Sequence, residues 1–271
     1  MLQPNRLKRA LAAGTPVFGL INSVPAPLLV EMLGYAGYDF VIIDLEHSCT
    51  NLETVEHALR AAECSGTTSL VRVPRADPAI ILRVLDAGAQ GIVIPHVSSA
   101  DEARAAVSAS RYHPLGTRGI SGGRTTGFGT IGLTEYFALA NAEILVAVMI
   151  EDRAGVDAID SILAVPGIDL VIEGAVDLSQ SFGVPGQPLN PAVQAAIAHL
   201  ADRSQAAGIP FCAVPRAEGQ IEAWRRKDVR AFLVGDDRGV AFRALKAHLC
   251  DWRDKGDRAY QAASQIEAPM G

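Results

Sequence analysis

The chain has 271 residues, with 24 Lys and Arg against 30 Asp and Glu and a formal net charge of −6, which excludes a generally basic, phosphate-seeking surface. Hydrophobic residues make up 49% and charged residues 20%, the balance of a chain that buries a large core and not of a disordered one. No apolar run approaches the roughly 18 to 20 residues of a membrane helix, and the first residues lack the apolar centre of a signal peptide, so a cytoplasmic location is expected.

In chain order, short β-branched runs alternate with longer Ala- and Leu-rich stretches, the pattern of parallel strands joined by helices. Strands are expected at Val17 to Ile21 and Phe40 to Asp44. A helix over Leu52 to Cys64, opened by Asn51, leads to a strand at Ser69 to Val73. Helix Pro78 to Ala87, opened by Asp77, precedes strand Gly91 to Pro95 and helix Ala100 to Ser110. Strand Ile144 to Ile150, helix Ala154 to Ala164, strand Asp169 to Glu173 and helix Pro191 to Ala207, opened by Asn190, follow. The last two strands are Pro210 to Val214 and Ala231 to Gly235, and residues 251–271 read as a terminal helix and tail. Asn and Asp before Pro are strong helix starts, since the side chain accepts an orphan N–H and Pro needs none. Eight β/α units fit a single (β/α)8 TIM barrel over residues 1–271, with a doubly wound open sheet as the alternative.

The one long interruption runs from Tyr112 to Gly132 and is rich in glycine. A connection of that length is expected to act as a lid or a substrate-binding segment. The four cysteines, Cys49, Cys64, Cys212 and Cys250, form no C-x-x-C pair and read as reduced thiols.

In a barrel the chemistry sits where strands end. The second strand ends in Asp44-Leu45-Glu46-His47 and the third in Val71-Arg72-Val73-Pro74; the fifth is followed by Glu151-Asp152, the sixth by Gly174-Ala175-Val176-Asp177. Glu151 and Asp177 on neighbouring strand ends suit a hard divalent cation such as Mg²⁺ or Mn²⁺, or else cap the helices that follow. Arg72, at the inner end of an apolar strand, needs an anionic partner: a ligand oxygen, or a structural ion pair with Asp44 or Glu46. His47 has acidic company that would tune it as a general base, although a lone loop histidine is usually a surface residue. The other histidines, His57, His96, His113, His199 and His248, read as structural. No dinucleotide fingerprint, Walker loop, nucleophile elbow or H-E-x-x-H is present, and no basic-aromatic patch suggests nucleic acid.

The runs Asp44-Leu45-Glu46-His47, Val71-Arg72-Val73-Pro74 and Leu85-Asp86-Ala87-Gly88 resemble the HpcH/HpaI aldolase family of metal-dependent, class II pyruvate aldolases. So do Arg111-Tyr112-His113-Pro114-Leu115-Gly116, Ile150-Glu151 and Asp177-Leu178-Ser179, in the same order over nearly the whole chain. The resemblance implies a phosphoenolpyruvate/pyruvate-type barrel whose last helix is swapped between subunits, assembled as a homo-oligomer, usually a hexamer. It implies that Glu151 and Asp177 hold Mg²⁺, Mn²⁺ or Co²⁺, that Arg72 stabilises the enolate of a 2-oxo acid, and that His47 is the acid/base tuned by Asp44 and Asp86. Gly174 and Val176 would border the substrate. The reaction would be reversible aldol cleavage of a 4-hydroxy-2-oxo acid to a 2-oxo acid and an aldehyde.

Three positions depart from the family's usual pattern. Met149 stands where a glutamine is typical, Ala175-Val176 replaces Pro-Ala, and Leu45 replaces Gly. Losing an amide beside the metal strand removes a donor near the substrate, so the alternative is a siderophore-pathway citrate synthase branch that condenses oxaloacetate with acetyl-CoA. A third reading is a non-catalytic barrel that binds a 2-oxo acid, against which the joint presence of Asp44, His47, Arg72, Glu151 and Asp177 argues.

Overall fold

A computed structural model of the chain describes residues 2–266. Its strands are β1 (Val17–Asn22), β2 (Phe40–Asp44), β3 (Thr68–Arg72), β4 (Gly91–Ile94), β5 (Leu145–Ile150), β6 (Leu170–Glu173), β7 (Phe211–Ala213) and β8 (Ala231–Asp236). Each pairs in parallel with the next, and β8 closes on β1. The closed ring excludes the open-sheet alternative, and each expected strand overlaps an observed one.

The helices are α1 (Arg6–Ala12), α2 (Pro27–Tyr35), α3 (Leu52–Ser65), α4 (Pro78–Asp86), α5 (Ala100–Ser110), α6 (Leu133–Glu143), α7 (Arg153–Asp157), α8 (Ile159–Leu163), α9 (Ala175–Ser181), α10 (Pro191–Ala206), α11 (Gln220–Arg226) and α12 (Asp237–Ile266). The expected caps are made: Asn51 accepts from Thr54 N, Asp77 from Ala79 N and Asn190 from Ala192 N. The single helix expected over Ala154 to Ala164 is instead two, broken at Ala158. α12 extends the expected terminal helix back to Asp237; the tail expected at 267–271 lies outside the described residues.

Side-chain alternation divides the apolar residues into two layers. Phe40, Ile42, Leu70, Val93, Ala147, Met149, Ile172 and Leu233 fill the barrel interior, while Val41, Ile43, Val71, Ile92, Val146, Val148 and Val171 face the helices. Each fully buried Leu, Ile or Phe contributes about 1.5–3 kcal/mol. Gly19 leaves room for the Phe40 ring, which a Cβ there would meet at 2.2 Å. α1 closes the amino-terminal end of the barrel, sending Leu7 into the interior cluster, while the Asn5 side chain caps the helix and donates to Gln90 O and Glu143 O at 2.9 Å.

The long connection does not roof the carboxyl end of its own barrel. It leaves α5 and leads through α6 into β5, and a segment joining a helix to the next strand must lie at the amino-terminal end. Arg124 pins it there, meeting Glu63 at 2.5 and 2.8 Å and Ala87 O at 3.1 Å. The expectation of a lid over the chain's own site is therefore corrected.

Candidate active site

The inward parity that carries Phe40 and Ile42 on β2, and Leu70 on β3, continues to Asp44 and Arg72 at the carboxyl ends, where the two residues are register partners. Their side chains meet as a two-toothed fork, Arg72 Nε to Asp44 Oδ1 at 3.0 Å and Nη2 to Oδ2 at 2.8 Å. Asp44 also accepts the backbone N–H groups of Glu46 and His47 and the Ser23 hydroxyl. Burial works against its charge, but the Arg72 guanidinium and these backbone donors prevail and hold the carboxyl below its ordinary range. Burial likewise opposes the charge of Arg72, and Asp44, Glu46 and Glu151 restore it and raise its pKa. The structural ion pair with Asp44 is thus present, and it leaves Nη1 over, 3.1 Å from Glu46 Oε2 and 3.9 Å from Met149 Sδ.

Glu151, one residue past β5, is the second focus. Its Oε1 accepts the backbone N–H of His96 at 2.8 Å and stands 3.5 Å from His96 Nδ1, and His96 Nε2 is 3.2 Å from Glu46 Oε1. Burial pushes the Glu151 carboxyl up to about 7, against the hydrogen bond and charge of His96, with Glu46 and Asp177 adding to the rise. His96 takes φ +52°, a left-handed backbone uncommon for a side chain of its size. Gly174 lets β6 approach Glu151, since a Cβ there would meet Glu151 Oε2 at 2.4 Å.

Glu46, His96 and Glu151 each offer a ligand atom within 4.8 Å of one another. Glu46 Oε2 is buried with no hydrogen-bond partner, so its contact with Arg72 is an ion pair only. A buried Glu151 whose pKa is raised by burial and by the neighbouring Glu46 and Asp177, beside a buried Glu46 oxygen left without a hydrogen bond, fits a divalent cation that takes oxygen and imidazole donors.

These groups border a cavity of about 240 Å³ lined by His47, Arg72, Met149, Glu151, Glu173, Gly174, Val176, Asp177 and Arg216 among others. The structure brings together Asp44, Arg72, Glu151, Asp177, Gly174, Val176 and His47 at this end. Asp44 does not orient the His47 ring: it holds the His47 backbone N–H, while the half-exposed imidazole stands 3.8 Å from Glu46. Asp86 stands apart from the site of its own chain. It ends α4 toward the amino-terminal end and accepts from Arg118 at 2.7 Å, so within one subunit it does not tune His47.

Sequence reasoning missed four residues. His96 had no partner in sequence, because its partners, Glu46 and Glu151, come from other strand ends. Glu46 lies in view beside His47, where its spacing marks it as a partner for Arg72 or His47 and not as a ligand in its own right. Glu173 and Arg216 pair at 2.9 Å across β6 and β7, and nothing in their spacing announces it.

Residues 19–244 match the family model for HpcH/HpaI aldolase/citrate lyase. A 5-keto-4-deoxy-D-glucarate aldolase of Shigella sonnei (strain Ss046) is 37% identical over 249 residues, 92% of this chain and 96% of that protein. Among solved structures, the citrate synthase SbnG is 41% identical with a TM-score of 0.86, covering 93% of this chain and 98% of the other. An HpcH/HpaI aldolase/citrate lyase family protein from Burkholderia cenocepacia J2315 is 32% identical with a TM-score of 0.86, covering 92% and 99%.

Proposed function

The chain belongs to the HpcH/HpaI aldolase/citrate lyase family, and from that membership and its site geometry we propose a divalent-metal-dependent carbon–carbon lyase that works through the enolate of a 2-oxo acid. The observation that carries this reading is the convergence of Glu46, His96 and Glu151, with an orphaned carboxylate oxygen, beside the buried Arg72. We further propose the substrate class, 4-hydroxy-2-oxo acids cleaved to pyruvate and an aldehyde, by kinship with the glucarate-derived aldolase. The enzyme acts in the cytoplasm.

Glu151 and Asp177 would hold Mg²⁺ or Mn²⁺, with Co²⁺ sharing the same donor preferences, and the Glu46–His96 pair borders them. When bound, the cation supplies a Lewis acid for the keto oxygen of the substrate. Arg72 does the rest of the charge stabilisation. Its fork with Asp44 fixes the guanidinium before substrate arrives, so Nη1 donates to the oxygen on which charge develops without reorganisation, and one such donor is worth roughly 10²- to 10³-fold in rate. His47, at the rim with its backbone tied to Asp44, moves the proton between the substrate carbon and solvent. Ile21, Met149, Val214 and Leu233 line the same cavity and keep water from the enolate.

The test is proton NMR of pyruvate in D₂O with the purified protein and Mg²⁺ or Mn²⁺. Loss of the methyl signal that stops with EDTA is expected; a folded, metal-loaded protein that exchanges nothing overturns the reading.

A second reading is condensation of oxaloacetate with acetyl-CoA, favoured by Met149 in place of an amide beside the metal strand and by the kinship with SbnG. Release of free coenzyme A from that pair of substrates separates it from aldol chemistry. We also propose a homo-oligomer, a hexamer with exchanged terminal helices. α12 carries Phe242, Leu245, Leu249 and Trp252 exposed, spaced three or four residues apart as one stripe. Light scattering that finds a monomer overturns that assembly.

A further inference from the structure

One cation of this cavity has no work in the proposed reaction. Arg216, three residues past β7, lines the cavity together with Arg72. In the closed eight-stranded ring β3 and β7 lie four strands apart, so the two guanidiniums approach from opposite walls. Arg216 is fixed by one edge only: Nη1 donates to Glu173 Oε2 at 2.9 Å and to Val214 O at 2.6 Å. Glu173 is itself anchored, its side chain 2% exposed and its Oε1 accepting the Val214 N–H at 2.8 Å. Nε and Nη2 of Arg216 have no hydrogen-bond partner among the described residues, although the side chain is only 21% exposed.

A guanidinium held rigidly by one edge, with its other donors unspent beside a cavity, is suited to a carboxylate, whose two oxygens match the fork. The remaining lining explains why a cation is needed at that wall. With Glu151 and Asp177 spent on the cation, Glu173 is the acid left in the lining, and a second negative charge on a ligand would meet it unless Arg216 stands between. At about 240 Å³ the space lies below the roughly 300–1,000 Å³ of pockets for drug-sized ligands, so a short acid spans it.

We propose that Arg216 is a specificity-determining residue that receives a second, distal carboxylate, so that the enzyme acts on 2-oxo acids carrying an anionic group at the far end of the chain. This rests on the cavity being the 2-oxo acid site. Arg72 and the metal-side acids take the 2-oxo acid head, and Arg216 selects the tail. A purely structural Arg216 would serve Glu173 alone and would be indifferent to what the substrate carries at its end.

The experiment is titration calorimetry of the Mg²⁺-loaded protein with two probes of equal chain length, 2-oxoglutarate and 2-oxopentanoate, which differ in the terminal carboxylate. The wild type is expected to bind 2-oxoglutarate more tightly by a factor on the order of 10- to 100-fold, the worth of one hydrogen-bonded charge pair. In Arg216→Gln that preference collapses to near unity, and Arg216→Lys keeps an intermediate preference. Because Arg216→Gln leaves Glu173 buried without its cation, the double variant Glu173→Gln/Arg216→Gln is measured beside it and is expected to lose the same preference. Equal binding of the two probes by the wild type, or a preference that survives in both glutamine variants, overturns the assignment of Arg216 alone. Failure of both probes to bind overturns the 2-oxo acid site and this inference with it, whereas binding of 2-oxoglutarate alone is the expected preference at its extreme.

Discussion

The two ends of the barrel use charge in different ways. At the amino-terminal end three arginines each meet a carboxylate: Arg111, which ends α5, with Asp169, and Arg118 and Arg124, on the long connection, with Asp86 and Glu63. At the carboxyl end Arg72 faces three acids, Asp44, Glu46 and Glu151, and a buried oxygen of Glu46 is left without a hydrogen bond. Matched charges hold a loop in place. Unmatched acids, gathered where strands end, cost stability until a cation or another partner meets them.

Several changes would sharpen or break that contrast, and the largest effect is expected at Arg72. Arg72→Ala leaves Asp44 and Glu46 buried without their cation, at a cost of about 3–5 kcal/mol, and lowers pyruvate methyl exchange by roughly 10³-fold. Arg72→Lys keeps the charge but not the fork, so it should fold better while still losing most of the exchange rate. Glu151→Gln should move two observables in opposite directions. Calorimetry should find Mn²⁺ affinity down by more than tenfold, while the melting temperature of the metal-free protein rises, because burial already disfavours the Glu151 charge. A metal-free protein destabilised by Glu151→Gln would contradict the claim of unmatched acids.

At the other end the expectation reverses. Arg111 is 4% exposed and also donates to Ile144 O, so Arg111→Met should lower the unfolding free energy in urea by about 3 kcal/mol, with Mn²⁺ affinity changed less than twofold. The smallest effect concerns Cys212, which lines the barrel interior and whose thiol burial pushes up. A thiol reagent should leave Cys212 unmodified in the native protein and modify it only after unfolding, as peptide mapping can follow.

Much of the fold was legible because it rests on local rules. Pro78 and Pro191 behind Asp77 and Asn190 announce helix starts, and the β-branched runs announce strands. The break at Ala158 was not legible, since the sequence on both sides of it is helix-compatible. In the site, the residues attached to strong local patterns, Asp44, Arg72 and Glu151, were legible at the ends of their strands. Their register across β2 and β3 was not, and it is that register which turns Arg72 toward Asp44. His96, Glu173 and Arg216 acquire meaning only through neighbours brought in by barrel closure. The long connection misled for a related reason: glycine content announces an irregular loop but not which end of the barrel it occupies. Chain order decides that, since a segment between a helix and the next strand lies at the amino-terminal end.

The unmatched acids around Glu151 are proposed to form a cation site. Anomalous diffraction from crystals grown with Mn²⁺ tests it most directly, by showing where the ion sits. A strong peak within bonding distance of the Glu151 carboxylate, absent from Glu151→Gln crystals grown alike, is the result this account expects. A fully occupied Mn²⁺ elsewhere, or a peak at the carboxyl end that persists in Glu151→Gln, would contradict it.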